Sequence, residues 1–168
     1  MNAKDHDIAA LRRAVLDDPR NGEKRYLLGA ELAQQRDYES AVLEMSAAIA
    51  LAPFLHIARF QLGLLHLTMA QPEHTLAVLA PLAELPDEAP LKHFTNGLAA
   101  LIRDDFTTCS AALERGIALN KDNAPLNHDM QLILDQVRGL TEKAPPPSAA
   151  QRPEEVRTDF SLYGVVKH

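Results

Sequence analysis

Apolar positions recur along most of this chain at helical spacing, and the segments come in pairs. Ile8, Leu11 and Val15, with Leu16 beside them, mark a short amphipathic helix over Ile8–Leu16, with Arg12 and Arg13 on its polar side. Asp17-Asp18-Pro19-Arg20-Asn21 ends it. The first full pair is predicted over Glu23–Gln35 and Tyr38–Leu51, joined by Arg36-Asp37, with Asp37 placed to cap the second helix. The next begins with Ile57–Met69, turns at Ala70-Gln71, and resumes at Pro72, where a missing N–H costs little. The third runs from Pro90 to Arg103 and from Phe106 to Leu119, across Asp104-Asp105. A last helix is expected from Pro125 to about Val137. It sets Met130, Leu132 and Leu134 among Asn127, Asp129, Asp135 and Gln136, and Gly139 is expected to end it. Pro81 falls inside its helix. An interior proline loses a hydrogen bond and clashes with the preceding turn, at about 3 kcal/mol, so that helix should kink or stop early.

The pairs share a phase. Gly29, Gly63 and Gly97 are spaced by 34 residues, and an aromatic stands three places before each: Tyr26, Phe60 and Phe94. Leu11 and Met45, Ala14 and Ala48, and Pro19 and Pro53 are also 34 apart, so the first helix is in register with the second half of a repeat. A glycine inside a helix costs about 1 kcal/mol against alanine, so its recurrence needs a packing reason. Small residues facing each other let two helices approach closely: Gly29 with Ala41 and Ala48, and in the third pair Gly97 with Cys109 and Gly116. Thr75 and Leu82 hold the corresponding places in the second.

Tyr26-Leu27-Leu28-Gly29, then Leu32, Tyr38, Ala41, Met45, Ala48 and Pro53, resemble a tetratricopeptide repeat, whose period is 34 residues. The likeness covers about Ile8 to Leu140. It departs from the family at the usual tryptophan near the repeat start, where Arg25 and Arg59 stand. The resemblance implies an all-α, right-handed solenoid of antiparallel helix pairs. The expected layout is a half-repeat at 5–19, repeats at 22–53, 56–87 and 90–121, and a capping helix at 124–138. The solenoid would fill residues 1–140, and residues 141–168 would form a Pro-rich linker and apolar tail.

In this family the first helix of each pair lines a concave face. Ile57, Phe60, Leu64 and Leu67 fall on one face of such a helix, and Leu91, Phe94, Leu98 and Leu101, with Ile102, repeat the pattern. Tyr26 and Ala30 hold the matching places in the first repeat. Leu62, Leu65 and Met69 already supply a packing stripe, so the second A helix is apolar on two faces, which marks it as buried twice or as a binding surface. The expectation is a groove for an apolar peptide or partner helix, with Phe60 and Phe94 as partly exposed anchors. The apolar lining disfavours the carboxylate-clamp subtype of the family, which needs Lys, Asn and Arg there.

Charge and composition narrow the chemistry. The net charge of −6, with no basic run, argues against a nucleic-acid partner. No apolar stretch approaches the 18 or so residues of a membrane span, and the polar start Met1-Asn2-Ala3-Lys4-Asp5-His6-Asp7 is no signal peptide, which points to the cytoplasm. The seven histidines show no HxxxH or HExxH pairing, and Cys109 stands alone in a small-residue slot, so no metal and no other cofactor is expected. No nucleophile–base order, phosphate loop or carboxylate pair suggests an enzyme.

The expected function is a protein-interaction module, an adaptor or chaperone, and three-repeat secretion chaperones resemble it in size. The alternative is a self-associating subunit of a larger assembly. In it, Phe160, Leu162, Tyr163, Val165 and Val166, beyond the linker Ala144-Pro145-Pro146-Pro147-Ser148, would dock on a solenoid in cis or across a dimer.

Overall fold

A computed structural model of the chain describes residues 3–143. Among these residues eight α-helices and no strand occur: α1 (Ala3–Asp17), α2 (Gly22–Gln34), α3 (Tyr38–Leu51), α4 (His56–Thr68), α5 (Pro72–Ala83), α6 (Pro90–Ile102), α7 (Phe106–Leu119) and α8 (Ala124–Lys143). The chain divides between Leu85 and Pro86 into two compact units, the first holding α1–α5 and the second α6–α8.

Local chemistry sets the helix starts. Asn21, Asp37 and Asp105 each accept the backbone N–H three residues on, at 3.1, 3.3 and 3.0 Å. Asn123 does the same for Leu126 at 3.1 Å, just before α8. These side chains satisfy donors that an uncapped helix leaves orphaned. α5 and α6 instead open on Pro72 and Pro90. The Pro81 penalty takes the form of an early stop: α5 ends at Ala83, whereas α3 and α7 run to Leu51 and Leu119, places equivalent to residue 85.

The turns inside the pairs repeat to the atom. Arg36, Ala70 and Asp104, each 34 residues from the next, have φ of 64°, 56° and 58°. The following N–H reaches back to Leu32, His66 and Ala100 at 3.0, 2.9 and 3.0 Å, and the left-handed residue's own N–H to Ala33, Leu67 and Leu101. This is the Schellman closure of a helix end, which glycine fits best. A left-handed L-residue costs about 1–2 kcal/mol, and glycine's extra unfolded-state entropy takes back about 0.4–1 kcal/mol. Ala70→Gly should therefore stabilise the protein by about 0.5–1 kcal/mol, read as a higher denaturation midpoint in urea.

In the first unit, α2 packs on α3 and α4 on α5, with α1 against α2 and α3 against α4. Val15, Leu28, Leu32, Ala41, Met45, Leu62 and Leu65 form its core. A Cβ placed on Gly29 would sit 2.7 Å from Met45 Cγ and 3.2 Å from the Ala41 carbonyl oxygen, and one on Gly63 would sit 2.5 Å from Leu79 Cδ2. Thr75 holds a slot where the repeat expects alanine, and its hydroxyl donates to the carbonyls of Gly63 and Gln71 at 3.2 and 3.1 Å. Arg25, in the place of the family's tryptophan, pairs with Glu44 at 2.8 Å and donates to the Pro19 carbonyl at 3.0 Å. A cation thus ties α2 to α3 and to the turn before it, where an indole would pack.

In the second unit, α6 packs on α7 and α7 on α8. The buried side chains include Phe94, Leu98, Cys109, Leu113, Met130, Ile133 and Leu134. Gly97 repeats the close approach, its Cβ position 2.7 Å from Leu113 Cδ2. α8 does not end at Gly139 but continues to Lys143. A single glycine costs a helix only about 1 kcal/mol, and Thr141 Oγ1 bonds the Arg138 carbonyl at 2.9 Å while Arg138 pairs with Glu114 of α7.

Candidate functional site

The A-helix residues expected to line a groove divide into floor and surface. Phe60, Phe94 and Leu98 are fully buried and Leu101 nearly so. The reading of Phe60 and Phe94 as partly exposed anchors is therefore corrected: they are core side chains. The physical reason is visible at Phe94. A Cβ on Gly116 of α7 would overlap the Phe94 ring, so the missing side chain is what admits the aromatic between α6 and α7. The signal was in the sequence, an aromatic on one helix matched by a glycine on its partner, but it was read only as helix proximity.

The remaining residues stay at the surface. In the first unit, Tyr26 and Ala30 of α2 and Ile57, Leu64 and Leu67 of α4 are half-buried, and α2 touches α4. Ala30 also packs against the unit's core. Burial raises the Tyr26 phenol above its ordinary pKa, so it stays neutral through the physiological range. The result is an apolar, uncharged strip across two neighbouring A helices, standing on a rigid floor that includes Phe60, Leu62 and Leu65. In the second unit, Leu91 and Ile102 of α6 are half-buried. The residues proposed for tail docking, Phe160, Leu162, Tyr163, Val165 and Val166, lie outside the described residues.

Other reactive groups have structural surroundings. His66 is buried at the end of α4, its Nδ1 2.7 Å from the Gln71 Oε1 acceptor and its ring stacked on that of His74, with centroids 5.3 Å apart. Nearly parallel stacked rings aim their in-plane nitrogens side by side and not at a common point. Among the described residues no group of three or more His, Cys, Asp or Glu side chains is placed to hold a metal ion, and no helix is long and apolar enough to cross a membrane.

Cys109 is fully buried, and burial, with the nearby Asp105 charge, pushes its thiol up to about 11. The thiolate is the nucleophile, so native protein at pH 8 should resist iodoacetamide, while unfolded protein should be alkylated fully. Mass spectrometry before and after denaturation measures this.

No protein-family profile matches this chain, and no curated protein matches it. Solved structures do. MamA from Desulfovibrio magneticus RS-1, as a chain from residue 41 to its end, is 19% identical with a TM-score of 0.59, over 84% of this chain and 81% of that one. A double mutant of MamA RS-1 matches at 19% identity and a TM-score of 0.58, over 83% of this chain and 80% of its own. The likeness shows the fold: an all-α solenoid of the tetratricopeptide type.

Proposed function

We propose that this chain is a protein-interaction module, an adaptor or chaperone, that holds an apolar peptide or partner helix on the strip formed by α2 and α4. The observation that carries the reading is the half-exposed row Ile57, Leu64 and Leu67 beside Tyr26 and Ala30. These side chains are apolar, uncharged and held on two helices whose opposite faces are already buried. Such a surface gains from covering and offers a charged ligand nothing. A secretion-type chaperone is one concrete form of this function.

The test is capture from the native cytosol, with the co-purifying protein identified and its affinity then measured directly. Leu64→Asp and Leu67→Asp should each weaken that complex at least about tenfold, as central apolar contacts in an interface commonly do. Helical content should stay unchanged. Wild-type affinity in both variants would remove the strip from the binding site.

A further inference from the structure

α3 is apolar all round. Its inner side is Ala41, Met45 and Ala48, buried against the rest of the first unit, and Val42 and Ile49 pack partly against the same core. The opposite side has no covering. Leu43 is 72% exposed and Ala50 is exposed, with half-buried Ala47 between them, and Phe54, just past the helix end, is 87% exposed. Leu51 flanks the row at 42%. The other exposed leucines, Leu16, Leu27 and Leu140, lie on α1, α2 and α8. A helix with an apolar outer stripe in water calls for a partner.

The order along the stripe says which partner. Leu43, Ala47, Ala50 and Phe54 read large, small, small, large, and the pattern is symmetric about the midpoint between Ala47 and Ala50. A two-fold axis at that midpoint, with two copies of α3 antiparallel, sets Leu43 of one copy against Phe54 of the other, at both ends. The alanines then meet in the middle and let the helices come close. Closed homo-oligomers require this self-complementarity, whereas a groove for a foreign peptide does not.

We propose that the outer face of α3 is a self-association surface, covered by a second copy of this chain in this antiparallel register. The inference does not rest on the peptide-binding reading, which concerns α2 and α4. Area decides the strength. A 14-residue helix is about 21 Å long, so the stripe with Phe54 buries on the order of 400 Å² per copy, half of the roughly 800 Å² of a stable interface. The dimer is therefore of the weak class, with a Kd of about 10 µM or weaker. Each copy carries a net charge of −6, so added salt screens repulsion and tightens it.

The experiment is sedimentation equilibrium of the full chain from about 10 µM to 1 mM. Wild type should shift from monomer towards dimer. Leu43→Glu and Phe54→Lys should each weaken association at least tenfold without changing the helical signal, since both side chains are exposed. An equimolar mixture of the two variants should regain association within about threefold of wild type. In the mixed dimer one end pairs Glu with Lys and the other keeps Leu43 against Phe54. Leu140→Glu should change nothing. A monomer up to 1 mM overturns the proposal, and so does a dimer that both single variants leave intact, as a tail-mediated dimer would be. A mixture that fails to regain association overturns it as well.

Discussion

Phe94→Ala is expected to destabilise the protein by about 3–5 kcal/mol, the usual range for removing a fully buried phenylalanine. The ring lies between α6 and α7 over Gly116, where no side chain can move in to replace it. The loss therefore combines the transfer energy of the ring with a cavity that cannot collapse. Phe94→Leu should cost distinctly less, since it keeps most of the volume. Phe60→Ala should behave like Phe94→Ala in the first unit, where Phe60 is equally buried. Urea unfolding followed by circular dichroism checks both. A loss below about 1 kcal/mol would mean that these rings are not core.

Gly63→Leu is expected to cost about 3 kcal/mol or more, at or above the upper end of overpacking effects. Leucine raises helix propensity by somewhat under 1 kcal/mol over glycine, and sterics must overcome that gain. They do, because the first carbon of the new side chain would already sit 2.5 Å from Leu79 Cδ2 and 2.6 Å from its Cγ. Leu79 is itself fully buried and has nowhere to go. The two helices must part, which also breaks the Thr75 hydrogen bond to the Gly63 carbonyl. The thermal midpoint should fall by well over 10 °C, given roughly 4–8 °C per kcal/mol in a unit of this size. An unchanged midpoint would show that α4 and α5 make no close contact there.

These predictions also mark where reading the chain stops being enough. The 34-residue phase of Gly29, Gly63 and Gly97 could be read directly, because each glycine answers a local demand that recurs in every pair. The same three pairs are in contact in space: Gly29 with Met45, Gly63 with Leu79 and Gly97 with Leu113. The helix starts at Asp37, Pro72 and Asp105 were equally legible, since capping acts within four residues. The continuation of α8 past Gly139 was not, because Glu114 on another helix helps to hold that turn.

By itself, the chain's pattern determined that it is all-α, that its helices come in pairs, and that the A helices are apolar on more than one face. Those are properties of spacing, and spacing is local. Only the tertiary structure decided which apolar side chains are covered. Phe60 and Leu64 sit one turn apart on α4, yet Phe60 is buried and Leu64 is half-open. Leu43 and Met45 are two residues apart on α3, one at the surface and one in the core. Burial depends on what another helix brings to that side, and a periodic sequence offers the same hydrophobicity to both outcomes.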